Sequence, residues 1–320
     1  MTRILAATDP LPTNKPIVVT VGKFDGVHVG HQELIGSTVR VAKESSALST
    51  VITFWPHPQQ LFQPDESVKV IDTLEDRIKL LCATGVDVVK VQPFDQCFAG
   101  MTAESFLSKL VDDHQMIAMV SGPDARMGRD RHAGSAELSS ICGRLGVRFE
   151  VIEQVGSKSQ MGTRAVRESI QEADFASAVK ALRRLPGLSG EVLHGKKRGR
   201  ELGFPTLNVS LSEDVVLPPV GTYFVAVVFD LNPHKIHLGA ANLGVRPTFD
   251  GAEQLLEVHL LDYDEMVYGQ KVRVLFCRKL RDERKFASAD DLVEQLRCDI
   301  ASVRSESAID TSLLHPWYCT

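Results

Sequence analysis

The hydrophobic period of this 320-residue chain changes once, at Pro186 and Gly187, and no single layer arrangement accommodates both patterns. Before the break, β-branched runs alternate with helical stretches. The spacing predicts strands over 17–21, 51–54, 86–91 and 117–120, and helices over 74–81 and 103–110. Leu34, Ile35, Thr38, Val39 and Ala42 recur at helical spacing after a glycine-rich turn, so a helix also follows the first strand. This β-α order predicts a parallel sheet wrapped by helices. Two more helical stretches, 164–172 and 175–185, the second capped by Asp174, lead to the break. Beyond it, Gly and Pro separate short strands over 190–193, 222–228, 236–240, 255–261 and 271–276, the spacing of a small barrel or sandwich. A last helix opens on a Ser288/Asp291 capping box and carries Leu292, Leu296, Ile300 and Val303 on one face. The expected domains are 1–185, an α/β domain with a parallel sheet, and 186–320, an all-β domain with a C-terminal helix.

Composition excludes several function classes. Hydrophobic residues at 43% and charged residues at 24% describe an ordinary globular protein. No apolar run approaches the ~18 residues of a bilayer span, and the first residues lack the apolar block of a secretory signal, so the expected location is cytoplasmic, with no membrane partner. Cys82, Cys97, Cys142, Cys277, Cys298 and Cys319 never form a close pair, which argues against a zinc knuckle or a redox CxxC. A net charge of -5, with no excess of basic residues in either half, argues against a nucleic-acid partner.

Gly22-Lys23-Phe24-Asp25-Gly26-Val27-His28-Val29-Gly30-His31 joins the first strand to its helix. Glycines let backbone approach a phosphate, the helix start presents unbonded amides, and His28 and His31 add donors at the same spot. The alternative is a chance pair of turn histidines. Zinc would need a third ligand, for which His57 is the only nearby candidate. After the strand at 117–120, Asp124, Arg126 and Arg129 lie in a Gly-punctuated basic loop. Its arginines either hold phosphates bidentately or pair with Asp124 and Asp130 in a solvated loop.

His194-Gly195-Lys196-Lys197-Arg198-Gly199-Arg200-Glu201-Leu202-Gly203-Phe204-Pro205-Thr206-Leu207-Asn208 combines cations with glycines. Such a flap can wrap a polyphosphate. Thr206 and Asn208, two apart on a strand, point their oxygens to one side, and neutral oxygens beside a triphosphate suit magnesium. Phosphoryl transfer to an alcohol also needs a proton acceptor. Glu257, alternating with Leu256 and Val258, is either that base or an ordinary outward carboxylate.

Over nearly the whole chain these segments resemble the bacterial bifunctional riboflavin kinase/FMN adenylyltransferase (FAD synthetase) family. The likeness is carried by HGKKRGRELGFPTLN, by Ala241-Asn242-Leu243-Gly244-Val245-Arg246-Pro247-Thr248-Phe249 and Glu257-Val258-His259-Leu260-Leu261-Asp262, and by Tyr268-Gly269 and Leu280-Arg281-Asp282-Glu283-Arg284-Lys285-Phe286. In the first half it is carried by Phe24 to His31 and by Phe54-Trp55-Pro56-His57-Pro58. The resemblance implies a Rossmann-like nucleotidyltransferase domain followed by a six-stranded Greek-key barrel. It implies that Thr206 and Asn208 bind magnesium with ATP, that Glu257 is the catalytic base, and that His28 and His31 hold ATP phosphates. Nucleotide and flavin contacts are expected from Gly22, Phe24, Asp25, Gly30, His57, Asp124, Arg126, Arg129 and Arg167 in the first site, and from Gly195, Arg198, Gly199, Gly203, Pro205 and Arg281 in the second. Leu207 replaces the family's alanine, Ala125 and Met127 replace phenylalanines, and Gly162-Thr163-Arg164-Ala165-Val166-Arg167 stands where a hydroxyl-rich motif ending in Arg is usual.

The implied activity is sequential, riboflavin to FMN and then FMN to FAD, each step using ATP. Small molecules are the only partners expected. Two alternatives remain at this stage: a riboflavin kinase whose first half is only structural, and a non-catalytic flavin-binding regulator.

Overall fold

A computed structural model describes residues 2–6, 9–62, 69–153, 161–195, 199, 203–248, 251–306 and 309–317. The chain divides into two compact units, Met1–Thr163 and Arg164–Thr320.

In the first unit β1 (Arg3–Leu5), β2 (Ile17–Val21), β3 (Leu48–Trp55), β4 (Val88–Pro93), β5 (Met116–Ser121) and β6 (Arg148–Val151) form one sheet in the order β1-β4-β3-β2-β5-β6. Every pairing is parallel. Ile17, Val18, Val19 and Thr20 of β2 are all fully buried, which identifies β2 as a central strand covered on both faces. The covering helices include α1 (Val29–Glu44), α2 (Pro58–Phe62), α3 (Leu74–Ala83), α4 (Gln96–Ala99), α5 (Ala103–His114) and α6 (Ser135–Arg144). Side-chain caps start three of them: Thr73 accepts from the Asp76 amide, Asp95 from Phe98 and Thr102 from Ser105. From β2 the chain steps outward through β3 and β4, then returns to the other side of β2 for β5. The order reverses there, so the carboxyl ends of β2 and β5 flank the crevice where open α/β sheets bind ligands.

The second unit carries α7 (Thr163–Gln171) and α8 (Phe175–Leu182), the latter capped by Asp174 accepting from the Ser177 amide at 3.1 Å. A closed barrel follows, built from β7 (Gly187–Leu193), β8 (Leu207–Val209), β9 (Gly221–Phe229), β10 (Asn232–Thr248), β11 (Gly251–Leu260) and β12 (Lys271–Asp282). Its order is β10-β11-β8-β7-β12-β9, all antiparallel. Strands β9, β10 and β11 are consecutive neighbours and β12 returns beside β9, which is the Greek-key arrangement. Tyr223, Val225, Val227, Leu243, Leu256, Val258 and Val274 are fully buried on paired, alternate positions and fill the interior. Each contributes about 1.5–3 kcal/mol of transfer free energy, the larger part of what closes the barrel.

The rings of Phe175 on α8, Tyr223 and Phe276 pack together at 5.2–5.9 Å between centroids. On the outer wall, Phe224 and Ala240 pack with Val303 of α9 (Ala289–Arg304). The Ser288/Asp291 capping box opens this helix as expected. Burial pushes the Cys277 thiol up to about 12 and the Cys142 thiol up to about 11. Both remain protonated thiols at neutral pH, and the described cysteines form no disulfide.

Candidate functional site

At the carboxyl end of β2 the backbone makes an abrupt turn. Phe24, Gly26 and Val27 all take left-handed conformations, with φ of 50°, 80° and 37°. Gly26 is required there: a Cβ would lie 2.7 Å from Ile71 Cδ1 as well as demanding that φ. The turn is held from below. The buried Asp25 carboxylate accepts the Ile71 amide at 2.8 Å and faces the fully buried Arg77 guanidinium at 3.9 Å. Thr53 donates to the Lys23 carbonyl at 3.1 Å, and Thr163 to that of Asp25 at 3.5 Å.

This turn delivers His28 to the N-cap of α1 and His31 to its first turn. Their rings stack at 3.7 Å and 21°, and the Phe24 ring meets His31 edge-on at 5.2 Å. A Cβ on Gly22 would press the Phe24 ring at 3.2 Å, and one on Gly30 would press His28 Cε1 at 3.3 Å, so both glycines leave room for those rings. Burial, then the neighbouring His28, Arg77 and Lys23, hold the His31 pKa well below its ordinary value. His31 keeps some exposed surface, but its Nδ1 is buried and has no hydrogen-bond partner among the described residues. A neutral His31 imidazole with His28 stacked on it at a helix N-terminus forms an anion site.

Other candidates of this half fall at the same edge or beside it. Asp124, Arg126 and Arg129 lie exposed in the loop after β5, on the far side of the crevice from the histidines. Arg129 stands 3.9 Å from Asp130, so ion pairing inside the loop is present. Ala125 and Met127 turn inward and pack against the sheet core. His57 is fully buried, its Nδ1 accepting the Gln59 amide at 3.3 Å. Among the described residues no group of three or more His, Cys, Asp or Glu is arranged to hold a metal. Arg167 belongs to α7, in the second unit.

Two features here escaped the sequence reading. Arg77 occupies the buried face of α3 beside Leu80 and Leu81, and a cation on an apolar helix face was the available signal. The second is an aromatic shelf at the carboxyl ends of β3 and β4, where Phe54, Phe94, Phe98 and Phe62 stand 5.5–6.0 Å apart and Phe62 is 66% exposed. The pair Phe54 and Phe62 stands some way in sequence from Phe94 and Phe98, so no single run of residues announced the cluster.

In the barrel, register brings the second constellation together. Asn208 of β8 lies directly opposite Glu257 of β11. Leu256, Val258 and Leu260 point inward and are buried, so Glu257 and His259 face out. The His259 ring stands 2.8 Å from the Pro205 carbonyl, which can only accept, so Nδ1 carries the proton. Phe204 meets the same ring at 5.7 Å. These contacts dock Phe204 and Pro205 against β11, and the register sets Asn208 on the face of Glu257 with Thr206 just before β8.

Gly195 and Gly199 close over this point. A Cβ on Gly195 would lie 2.1 Å from Asn208 Nδ2, and one on Gly199 would lie 3.2 Å from Thr206 Oγ1. His194, just before, stacks on Tyr268 at 3.9 Å. Gly203 is exposed with φ of 83°. Arg198 lies outside the described residues. Arg281 is bound elsewhere: its guanidinium grips the buried Asp299 of α9 through three contacts of 2.9–3.2 Å, and Gln295 donates to the same carboxylate at 2.7 Å. The hydroxyl of Thr206 and the amide oxygen of Asn208 are hard oxygen donors, which fit magnesium and disfavour softer metals.

Comparison with known proteins gives a consistent result. The FAD synthetase family matches residues 11–165 and the riboflavin kinase family residues 182–306. The bifunctional riboflavin kinase/FMN adenylyltransferase of Haemophilus influenzae is 36% identical over 289 residues, covering 90% of this chain and 93% of the relative. The Escherichia coli K12 protein of the same name is 33% identical, covering 90% and 91%. A solved structure described as a macrolide-efflux protein from Streptococcus pneumoniae is 28% identical, with a TM-score of 0.85 over 96% of this chain and 99% of that one. Among the described residues no helix of the present chain is long and apolar enough to cross a membrane.

Proposed function

The chain belongs to the bifunctional riboflavin kinase/FMN adenylyltransferase family, and from that premise we propose which of its residues carry each reaction. In the barrel, Glu257 accepts the proton of riboflavin's terminal ribityl hydroxyl as that oxygen attacks the γ-phosphorus of ATP. A P–O bond forms to the ribityl oxygen, the bond to the β,γ-bridging oxygen breaks, and FMN and ADP leave. A neutral alcohol is a poor nucleophile until it loses its proton, so a positioned carboxylate is needed. Thr206 and Asn208 hold magnesium with the nucleotide. Bound there, the metal supplies neutralisation of phosphate charge. Gly195, Gly199, Gly203 and Pro205 approach the nucleotide phosphates, and Arg281 braces the barrel wall through its pair with Asp299.

In the first unit the acceptor is the FMN phosphate, whose second pKa near about 6 leaves it largely dianionic at pH 7. No base is required. FMN oxygen attacks the α-phosphorus of a second ATP, and pyrophosphate leaves. His28 and His31 donate N–H hydrogen bonds to the phosphate oxygens as charge builds, at the amide-rich start of α1. Gly22, Phe24, Asp25 and Gly30 hold that turn. Asp124, Arg126 and Arg129 serve the nucleotide from the loop after β5, and His57 braces the segment after β3. The aromatic shelf of Phe54, Phe94, Phe98 and Phe62 suits a planar isoalloxazine ring.

The observation that carries this reading is the direct pairing of Asn208 with Glu257, an amide oxygen beside a carboxylate. Incubating the purified chain with riboflavin, ATP and magnesium and resolving products over time tests it. FMN should appear first and FAD after it. Glu257→Ala should abolish FMN formation while leaving FAD formation from supplied FMN intact, and His28→Ala should do the reverse. FMN without FAD would remove the first unit's activity. No product at all would favour a binding protein.

A further inference from the structure

Thr206 stands where the hydrogen-bonded ladder of the barrel has just run out. Strand β8 pairs with β11 from Val209 opposite Leu256 to Leu207 opposite Val258, and with β7 at Val209 and Asn208. Just before Thr206 comes Pro205, which has no N–H to offer a ladder. One residue past the last pair on β11, the side chain of His259 takes over. Its Nδ1 stands 2.8 Å from the Pro205 carbonyl oxygen, and its ring meets Phe204 edge-on at 5.7 Å and 74°.

That contact reaches Thr206 through covalent geometry. The Pro205 carbonyl and the N and Cα of Thr206 belong to one planar peptide unit. On the other side of that unit the proline ring fixes φ near about −65°. Holding the carbonyl oxygen against His259 therefore sets where the Thr206 Cα lies, and with it the hydroxyl. The glycine-rich flap closes on the same stretch: the Phe204 amide donates to the Gly199 carbonyl at 2.7 Å, and a Cβ on Gly199 would lie 2.4 Å from the Phe204 carbonyl oxygen. His259 is itself placed by close packing of β11 on β10, where a Cβ on Gly239 would lie 2.4 Å from the His259 carbonyl oxygen.

We infer that His259 is a positioning residue for the kinase step, its Nδ1–H holding the Pro205 carbonyl so that the Thr206 hydroxyl is presented to magnesium. The inference rests on Thr206 being a magnesium ligand. Magnesium demands near-ideal octahedral geometry with short bonds, so an oxygen carried on a loosened peptide serves it poorly.

Two substitutions separate the hydrogen bond from the packing. In His259→Asn the amide nitrogen stands near the position of Nδ1 and keeps a donor for the Pro205 carbonyl. In His259→Phe a ring still meets Phe204 but the donor is gone.

The test uses the full chain. In the ligand-free wild type, 15N NMR reads the His259 tautomer, and Nδ1 should carry the proton. Binding of ADP is then followed at the Thr206 methyl resonance, which reports this site, once with magnesium and once in EDTA. His259→Phe should weaken Mg-ADP binding about 2- to 12-fold, the factor for one neutral hydrogen bond, and leave ADP binding in EDTA unchanged. KM for Mg-ATP in FMN formation should rise by the same factor with kcat little altered, and His259→Asn should recover most of the loss. FAD formation from supplied FMN and the melting temperature report intact folding. A proton on Nε2 with Nδ1 bare, equal weakening with and without magnesium, or no recovery in His259→Asn overturns the inference. If Thr206→Val keeps the wild-type KM for Mg-ATP, the metal assignment fails and takes the inference with it. If Thr206→Val raises that KM while His259→Phe behaves as wild type, only the present inference fails.

Discussion

Replacing Gly195 by alanine isolates the contact on which the barrel site turns. Gly195 is not among the residues with positive φ, so its backbone accepts a side chain without strain. The obstacle is Asn208. The added Cβ would lie 2.1 Å from its Nδ2, 2.7 Å from its Cγ and 3.0 Å from its Oδ1. These atoms end a side chain that can rotate, so the amide swings away from Glu257 and the barrel itself is spared. Stability should change by less than about 1 kcal/mol, as for substitutions away from the core.

Activity should change more. An oxygen acting on a charged ligand is worth about 1.5–3 kcal/mol. At about 1.4 kcal/mol per tenfold, kcat/KM for FMN formation should fall roughly 10- to 150-fold. The assay is steady-state FMN formation with magnesium-ATP varied, with FAD formation from supplied FMN and a thermal melt as controls. The double variant Gly195→Ala/Asn208→Ala decides the mechanism. If alanine acts only by displacing Asn208, the double variant is no worse than Asn208→Ala alone. Multiplying losses, or an undiminished single variant, would refute the reasoning.

Gly26→Ala should lower the melting temperature and impair FAD formation, because it adds a Cβ 2.7 Å from Ile71 Cδ1 at a φ of 80°. The expected cost is about 1–3 kcal/mol, and an unchanged melt contradicts it. The depressed pKa of His31 makes stability depend on pH. Below the ordinary histidine value near about 6.5 the unfolded chain binds a proton that the folded site resists, so stability falls as pH drops from there toward the folded pKa. His31→Gln should flatten that slope in denaturant melts between pH 7 and 5, and an equally steep slope argues against His31 as its source. Phosphate charge beside the same ring favours its protonation, so ATP binding to the first unit should take up protons. Calorimetry of Glu257→Ala in buffers of different ionisation enthalpy measures this, and the uptake should diminish in the double variant Glu257→Ala/His31→Gln.

Strands with a buried face were readable in the sequence and edge strands were not. Ile17–Val21 was marked by its β-branched run, whereas Arg3–Leu5 and Arg148–Val151, at the two sheet edges, expose most of their side chains and show no period. Asn232–Thr248 was expected only over 236–240. Beyond that point it carries Ala241, Asn242 and Gly244, residues with little strand preference, and it is held by β9 and then β11.

Local pattern alone determined that an α/β half precedes an all-β half and that glycines and histidines meet at a strand-helix turn, since each depends on residues close together in the chain. Only the tertiary structure decided that Asn208 faces Glu257, that Asn242 stands on its other flank, that Arg77 lies beneath the histidine turn, and that Arg281 is held by Asp299. Those relations join residues from 15 to 52 positions apart along the chain. They follow from strand register and helix docking, which burial of the whole core sets and which no local run of residues encodes.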